Sequence, residues 1–253
     1  MIIQMSFTTF LIFGSLIGLL DVYQQAGDSP REKLSRVDDA IVLLLCSLSG
    51  GRLDYILLRW PYFSLHLNEI PQFWLGGLGW PGTVTGGLLA IGLIGLSHRG
   101  TSRRLIADSL LPLLCPLAVA CWLGVWMQNE AYGLPVPADV WYGSPMVSAA
   151  GSTITRFPLQ PAAALMILAT CVLGQRLSMS SNIPGRKISA GFLGFSIVML
   201  ASSFLRGDPS PLWLGYRYET WFAAAFTIIG LAGYIGTCLW QSNFRVPQTS
   251  NTI

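Results

Sequence analysis

Long apolar runs separated by short polar or glycine- and proline-rich connections are the main pattern of the chain. The runs fall at residues 5–22, 40–60, 79–97, 105–127, 157–175, 188–205 and 220–240. Because a helix rises about 1.5 Å per residue, each run is long enough to cross about 30 Å of hydrocarbon. The pattern predicts an all-α integral membrane protein of about seven transmembrane helices, with residues 1–253 forming a single membrane domain.

Two connections differ from the rest. The first, 61–78, is apolar and aromatic but interrupted by Pro61 and Pro71, so we expect it to lie along the membrane surface as an interfacial segment. The second, 128–156, is the longest connection that is not apolar and is rich in proline and glycine. It predicts an extracytoplasmic loop or a small cap.

The composition agrees with a membrane protein. Hydrophobic residues make up 52% of the chain and charged residues only 11%, against about 25% charged residues in a typical soluble domain. The net charge of +3 comes from small basic clusters without interleaved exposed aromatics, which argues against a nucleic-acid partner. The first run lacks a basic leader and a cleavage site, so we expect a retained helix.

The distribution of Lys and Arg predicts the orientation. Under a seven-span arrangement, ten of the fifteen basic residues fall on one side: Arg31, Lys33, Arg36, Arg99, Arg103, Arg104, Arg176, Arg186, Lys187 and Arg245. Positive charge in short loops marks the cytoplasmic side. We therefore expect the N-terminus outside and the C-terminus in the cytoplasm, with most Trp and Tyr residues near the outer face.

The outer half of the second span contains three charged residues, Arg52, Asp54 and Arg59. A charge at mid-membrane costs about 2.5 to 3.5 kcal/mol on insertion scales, so these residues need an explanation. Arg52 and Arg59 are seven residues apart and share a helix face, which suggests a cationic surface for a lipid phosphate. The alternative is structural: Arg52 would pair with Asp108 or Glu130, and Arg59 would extend to the interface.

Further charged residues cluster near the same outer side. Glu130 follows the fourth span, where a carboxylate opposes the helix dipole and needs a cationic or hydrogen-bonding partner. Arg52, Arg156 and Arg206 are the candidates. The planar guanidinium of arginine also suits phosphate, although arginine at a helix end can simply anchor the helix at the headgroups. The alternative for Glu130 is an ordinary solvated loop acid.

Motifs of several enzyme classes are missing from the sequence. It contains no HExxH, no GxSxG and no P-loop, and its five cysteines lie inside apolar runs without a CxxC pair. These cysteines are expected to be small buried hydrophobic residues. The sequence therefore predicts no metal site and no cofactor.

Four ordered motifs resemble the prolipoprotein diacylglyceryl transferase family of the bacterial inner membrane. They are Gly50-Gly51-Arg52-Leu53-Asp54-Tyr55-Ile56-Leu57 with Trp74-Leu75-Gly76-Gly77-Leu78, against GGRLGYVLFY and WxGGMSFHGG; Asn129-Glu130-Ala131-Tyr132-Gly133, against GRxGNFxNxExxG; Arg156-Phe157-Pro158-Leu159-Gln160, against RHPSQLYE; and Phe204-Leu205-Arg206, against EFFR. The resemblance runs over most of the chain.

The resemblance implies transfer of a diacylglyceryl group from phosphatidylglycerol to the lipobox cysteine thiol of a prolipoprotein signal peptide, with glycerol phosphate leaving. The partners would be phosphatidylglycerol or another anionic lipid and the prolipoprotein, and no cofactor is implied. The expected phosphate-binding residues are Arg52, Arg156 and Arg206, and the expected catalytic residue is Glu130, which would orient them. Supporting residues are Asn129, Gly133, Gln160, Gly76 and Gly77.

The sequence departs from the family at positions that the chemistry would use. Pro81 stands at a histidine, Trp122 and Val125 at an arginine and an asparagine, and Met199 and Ser203 at an arginine and a glutamate; Phe7, Pro161 and Ala162 replace a tyrosine, a tyrosine and a glutamate. Two functions therefore stay open. One is a transferase with a rearranged site, and the other is a non-catalytic descendant that holds a lipid, as a subunit of a larger membrane assembly.

Overall fold

The computed structural model describes residues 7–73, 76–98, 102–147, 153–178 and 183–244, and within these ranges the protein is a helical bundle with two small hairpins. The helices are α1 (Phe7–Gln25), α2 (Pro30–Leu58), α3 (Trp60–Phe63), α4 (Trp80–Ser97), α5 (Arg103–Leu110), α6 (Leu114–Met127), α7 (Leu159–Ser178), α8 (Arg186–Leu205) and α9 (Tyr218–Phe244). The strands are β1 (Ser144–Val147), β2 (Thr153–Arg156), β3 (Leu212–Trp213) and β4 (Tyr216–Arg217).

The predicted spans coincide with helices. Six helical segments among the described residues are long and apolar enough to cross a bilayer, and one of them joins α5 and α6 through a 3-10 turn into Arg103–Met127. The seventh predicted span corresponds to α7, whose apolar stretch, Leu159–Gly174, is shorter. The predicted fold class is confirmed: the chain is an all-α, multi-pass membrane protein.

Helix α2 begins ten residues before the predicted span. The Ser29 hydroxyl accepts a hydrogen bond from the Glu32 amide at 3.2 Å, and Pro30 occupies the first turn. Serine before the helix and proline in its first turn are favourable at a helix N-terminus. The helix therefore continues through the polar residues 30–39, which a hydropathy pattern does not assign to a span.

Helices α2 and α4 pack closely because glycines face each other. A Cβ atom on Gly50 would overlap the Gly82 carbonyl oxygen, and one on Gly86 would overlap the Cys46 carbonyl oxygen. Small residues at such positions allow the backbones of membrane helices to approach each other. This contact fixes the C-terminal half of α2 against the N-terminal half of α4.

The interior between α6, α7, α8 and α9 is a large apolar cluster. Its buried residues are Ala118, Trp122, Ala131, Leu159, Ala163, Ala164, Ile167, Cys171, Phe192, Phe195, Val198, Met199, Ala223 and Phe226. A second cluster, formed by Val22, Ala40, Ile94, Ile106, Leu110 and Leu113, lies where α1, α2, α4 and α5 meet. The two clusters hold the helices together along their length.

The two connections singled out in the sequence have defined structures. Residues 61–78 contain the end of α3 and a 3-10 turn at Leu67–Glu69, and we call this segment the arm. Residues 128–156 contain the antiparallel β1–β2 hairpin, and we call this segment the cap. Predicted residues Trp74, Leu75, Arg99 and Arg245 lie outside the described residues. The β3–β4 hairpin between α8 and α9 was not predicted.

Candidate functional site

Arg52 fastens the arm to α2. Its guanidinium donates hydrogen bonds to four backbone carbonyl groups of the arm, at 2.6 Å to Glu69, 3.0 Å to Ile70, 2.8 Å to Gly76 and 3.4 Å to Gly77. Neither of the acidic partners considered for Arg52 contacts it among the described residues. Most of its N–H groups are therefore already used by the protein itself.

Gly76 and Gly77 turn the arm so that their carbonyl groups can reach Arg52. Both have positive φ angles, +88° and +76°, which glycine adopts without steric cost. A Cβ atom on Gly77 would also overlap the ring of Tyr55. The two supporting glycines of the sequence motif thus serve the geometry of the arm.

A cleft of about 340 Å³ lies between the arm and the C-terminal end of α2. It is lined by Arg52, Tyr55, Arg59, Tyr62, Phe63, Glu69 and Gly76. The Arg59 guanidinium lies 4.0 Å from the centre of the Tyr55 ring, and Arg59 is exposed. Among the described residues the Arg59 guanidinium makes no hydrogen bond or ion pair, so its N–H groups are available to a ligand in the cleft.

Gln160 holds the chain that follows α6. Its side chain is 1% exposed, and its amide nitrogen donates a hydrogen bond to the Glu130 carbonyl oxygen at 2.8 Å. Asn129 and Ala131, on either side of Glu130, have φ angles of 55° and 51°. The Glu130 carboxylate is exposed and contacts no arginine among the described residues. No contact among the described residues therefore supports its predicted role in orienting the arginines.

Arg156 belongs to the cap. Its guanidinium lies 4.1 Å from the centre of the Tyr132 ring and donates a hydrogen bond to the Gly133 carbonyl oxygen at 3.3 Å. A Cβ atom on Gly133 would overlap the Phe157 carbonyl oxygen, so this close approach requires glycine. Backbone hydrogen bonds, including one from the Gly207 amide to the Tyr132 carbonyl oxygen at 2.8 Å, join the cap to the end of α8.

Arg206 belongs to a cluster of four charges that closes the α8–α9 connection. Its guanidinium bonds both carboxylate oxygens of Asp208 and one oxygen of Glu219 at 3.1 Å. Arg217 contacts the same two acids, at 3.3 Å and 3.1 Å. The cluster has two positive and two negative members, so the charge of Arg206 is largely compensated within the protein.

The cluster shifts the pKa values of Asp208 and Arg206, which lie outside the membrane-spanning helices. Burial alone would raise the pKa of Asp208, but the hydrogen bonds and charge of Arg206, helped by Arg217, hold that pKa below its ordinary value. Burial alone would lower the pKa of Arg206, but its bonds to Asp208 and the charge of Glu219 raise that pKa. Both residues are therefore charged at neutral pH.

Asp54 lies on the face of α2 that contacts α4. Its carboxylate accepts a hydrogen bond from the Gly82 amide at 3.3 Å, in the first turn of α4. A Cβ atom on Gly79, which precedes the helix, would overlap this carboxylate. The N-terminal end of a helix favours an anion, so α4 stabilises the charge of Asp54.

Three of the departures from the family motifs, Trp122, Met199 and Pro81, are buried. Trp122 is 6% exposed and Met199 is 8% exposed, and both belong to the cluster between α6 and α9. Pro81 is fully buried in the first turn of α4, beside Gly82. At these three positions the chain therefore has buried apolar side chains where the motifs have polar ones.

Three charged residues at this end of the bundle have contacts that the sequence pattern did not predict. Arg217 and Glu219 were not proposed, although an arginine and a glutamate directly before an apolar span are a signal of buried pairing. Asp54 was noticed but assigned no role. A second cavity of about 300 Å³, which lies at the other end of the bundle and is lined in part by Arg103, Arg104 and Gly233, contains none of the predicted site residues.

Three curated bacterial proteins named phosphatidylglycerol--prolipoprotein diacylglyceryl transferase are similar to the chain. The protein of Geobacillus kaustophilus (strain HTA426) is 35% identical over 124 residues, covering 49% of this chain and 45% of that protein. The protein of Rhodospirillum rubrum is 29% identical over 177 residues, covering 67% and 63%. That of Symbiobacterium thermophilum is 39% identical over 102 residues, covering 39% and 37%. The chain thus matches about half of the length of these relatives.

A family model gives the broader match. The model described as prolipoprotein diacylglyceryl transferase matches residues 4–236, which include α1 to α8 and most of α9. The resemblance inferred from the four motifs is confirmed by this match. The chain belongs to the prolipoprotein diacylglyceryl transferase family.

Proposed function

We propose that the chain is a diacylglyceryl transferase that moves the diacylglyceryl group of phosphatidylglycerol to the cysteine thiol of a prolipoprotein signal peptide. The family match supports the reaction class, and the relatives are named for this pair of substrates. The observation that carries the proposal is the cleft beside the arm, where Arg59 offers uncommitted N–H donors at the outer end of α2.

In this proposal the arginines have different roles. The Arg59 guanidinium contacts the lipid phosphate, since stacking on Tyr55 holds it at the cleft while leaving its donors available. Arg52 lines the same cleft and supplies positive charge, but its main work is to position the arm. Arg156 and Arg206 support the cap and the α8–α9 connection from their own protein partners.

The proposal includes an orientation in the bacterial inner membrane. The basic residues Arg103, Arg104, Arg186 and Lys187 lie at the beginnings of α5 and α8, at the end of the bundle opposite to Arg52. With that end in the cytoplasm, the N-terminus is outside and the C-terminus inside. The arm is then an interfacial segment at the outer face, and the cap is extracytoplasmic, on a single membrane domain.

A second function is favoured by one specific observation. Trp122 and Met199 fill the interior with apolar side chains where the family motifs have arginines. Losing one preorganised electrostatic group commonly lowers a rate by about a hundredfold to a thousandfold. Such a protein would hold phosphatidylglycerol at the cleft without transferring its acyl-bearing group, and it would serve a membrane assembly through that lipid.

One experiment separates the two functions. The purified protein is incorporated into phosphatidylglycerol vesicles with a lipobox peptide, and the diacylglyceryl thioether is measured by mass spectrometry. A peptide with alanine at the cysteine position is the control. The transferase predicts a time-dependent mass increase on the cysteine peptide only. An absence of product together with phosphatidylglycerol retained in native mass spectra would reject the transferase and leave the lipid-holding function.

A further inference from the structure

The second cavity lies at the end of the bundle opposite to Arg52, between the beginnings of α5 and α8 and the C-terminal part of α9. We call it the α5–α9 cavity. Its volume is about 300 Å³, near the lower limit of pockets that hold small ligands. Arg103 and Arg104 of α5 line one side, and mostly small residues of α8 and α9 line the other. Positive charge and open space therefore meet at a place that the proposed function does not use.

Glycine in α9 keeps the cavity open. A Cβ atom on Gly236 would meet nothing within 4 Å, whereas one on Gly230, earlier in the same helix, would lie 3.0 Å from the Cα atom of Leu193. Gly230 thus serves the close packing of α9 on α8, but Gly236 does not. Glycine also weakens a helix relative to alanine. The packing of the helices therefore does not account for Gly236, which leaves space beside the arginines.

The two arginines have packed stems and guanidinium groups that the protein does not neutralise. A Cβ atom on Gly95 would overlap the Cγ atom of Arg103, and one on Gly185 would lie 3.1 Å from the Cβ atom of Arg104. The Arg104 guanidinium lies 5.7 Å from the centre of the Trp240 ring. Among the described residues neither guanidinium forms a hydrogen bond or an ion pair, so both groups can bind an anion in the cavity.

The one acid of α5, Asp108, is used by another helix. It follows Arg104 by four residues and so lies on the same side of α5. Its carboxylate accepts hydrogen bonds from the Gly185 amide at 2.6 Å and the Ile188 amide at 2.8 Å, one on each oxygen. Asp108 therefore caps the beginning of α8, and the charge of the arginines stays available.

The hydroxyl groups of the cavity are also used within the protein. The Ser189 hydroxyl donates a hydrogen bond to the Gly185 carbonyl oxygen at 2.7 Å, and the Thr237 hydroxyl donates one to the Tyr234 carbonyl oxygen at 2.7 Å. In the described part of the chain, the guanidinium groups are thus the side-chain donors left for a ligand. The planar fork of arginine fits the oxygens of a phosphate group, which makes a phosphate the ligand group that suits the cavity best.

The depth of the cavity favours a phosphate that belongs to a lipid. Arg103 and Arg186 are the first residues of two helical segments that are long and apolar enough to span a bilayer, and Trp240 is the last residue of a third. Tryptophan and arginine at the ends of such segments mark the level where headgroups meet hydrocarbon. The cavity is therefore at headgroup depth.

An exposed apolar strip of α9 continues from the cavity toward the middle of the membrane. Ile228, Ala232 and Gly236 follow one another at intervals of four residues and share a face of the helix. All three are exposed, and the side chain of Ile235 beside them is exposed as well. A soluble anion has no use for this strip, whereas the acyl chain of a lipid held at the cavity would lie along it.

We propose that the α5–α9 cavity binds an anionic phospholipid, with Arg103 and Arg104 on the phosphate oxygens and an acyl chain on the strip of Ile228, Ala232 and Gly236. Basic pockets between transmembrane helices are a known way of holding anionic headgroups. The lipid belongs to the leaflet opposite to the arm, which is the cytoplasmic leaflet in the proposed orientation. It is bound without being transferred, so this site does not depend on the proposed transferase function.

The test measures phosphatidylglycerol binding to the purified protein by native mass spectrometry, in an Arg59→Ala background that removes the proposed lipid contact of the cleft. The double variant Arg103→Gln with Arg104→Gln is compared with Arg31→Gln with Lys33→Gln, which removes the same charge at the beginning of α2. We expect the first variant to bind about a hundredfold more weakly, or about tenfold for each arginine. The control should bind as tightly as its parent.

A second pair of variants tests the cavity while keeping its charge. Gly236→Leu fills the space beside the arginines, and Gly92→Leu is the matched control, because a Cβ atom on exposed Gly92 also meets nothing within 4 Å. We expect Gly236→Leu to lose bound phosphatidylglycerol, Gly92→Leu to retain it, and both to melt at the same temperature as their parent.

Two competing ligands identify the source of the phosphate. Inorganic phosphate should displace phosphatidylglycerol poorly, because it has no acyl chain for the strip on α9. Phosphatidylcholine should also compete poorly, because its headgroup has no net charge.

Three outcomes would overturn the proposal. Equal phosphatidylglycerol binding in the double-arginine variant and its control would remove the arginines as the site. Equal binding in Gly236→Leu and Gly92→Leu would show that the cavity holds no lipid. Binding of inorganic phosphate as tight as that of phosphatidylglycerol would show that a free anion, and not a lipid, is the ligand.

Discussion

The hydrogen bonds between Arg52 and the arm lead to a specific prediction for the variant Arg52→Ala. The substitution removes the donors of four hydrogen bonds to arm carbonyl groups. A hydrogen bond from a charged group contributes about 1.5 to 3 kcal/mol, but the freed carbonyl groups can bond to water. We therefore expect a loss of about 2 to 4 kcal/mol, equivalent to one or two of the four bonds.

That loss should raise the population of the detached arm by about 30-fold to nearly a thousandfold. Hydrogen exchange measured by mass spectrometry on peptides spanning 67–73 and 76–79 should accelerate accordingly, while the interior of α8 keeps its protection. Arg52→Lys should give an intermediate effect, because one ammonium group cannot reach all four carbonyl groups.

Arg59→Ala is the matched control for Arg52→Ala. Arg59 is on the same helix and lines the same cleft, but among the described residues its contact is with the Tyr55 ring rather than with the arm backbone. We expect Arg59→Ala to weaken phosphatidylglycerol retention in native mass spectra and to leave exchange in the arm unchanged. The distinct roles of Arg52 and Arg59 would be refuted if hydrogen exchange in the arm were equal in Arg52→Ala and wild type. They would also be refuted if both variants accelerated that exchange equally.

Three further outcomes follow from the packing. The pKa of Asp208 is depressed in the folded protein, so the ionised carboxylate stabilises the fold. This stabilisation should be complete above about pH 4 and decline as the pH falls further. Thermal unfolding followed between pH 3 and pH 7 measures the decline. Gly86→Leu should lower thermal stability and expression, because its side chain would displace the backbone at Cys46; unchanged melting would contradict the α2–α4 contact. Gln160→Ala should destabilise the protein by about 1 to 3 kcal/mol, because the Glu130 carbonyl loses its donor. The control Asp139→Asn, at an exposed acid of the cap, should leave the stability unchanged.

The helical framework could be predicted from the sequence because the hydropathy of each apolar run depends only on the residues within that run. The extension of α2 to Pro30 could not be read in this way, since capping by Ser29 stabilises helix in residues that are too polar for a span. The short hairpins, such as Leu212–Trp213 with Tyr216–Arg217, contain too few residues for an alternating pattern to be recognised.

The sequence predicted which residues belong to the candidate site better than it predicted which atoms those residues contact. The motifs pointed to Arg52, Gly76 and Gly77, but a sequence does not show that the arginine donates to the carbonyl groups of those glycines. Arg206 was expected at a phosphate, whereas its nearest partners, Asp208 and Glu219, are brought to it by the fold. Carbonyl partners and contacts made by a hairpin depend on tertiary structure, which explains why reasoning from residue types did not find them.

The apolar interior limits the route of any lipid. Because Trp122, Met199 and Phe226 belong to one apolar cluster between the helices, the described part of the chain has no polar passage at the centre of the bundle through which a headgroup could travel. Under the proposed function, a lipid that binds Arg59 would arrive sideways from the surrounding leaflet, with its headgroup moving along the bilayer surface and its acyl chains staying among other lipids. Turnover would accordingly depend on lateral diffusion and on the fluidity of the membrane around α2.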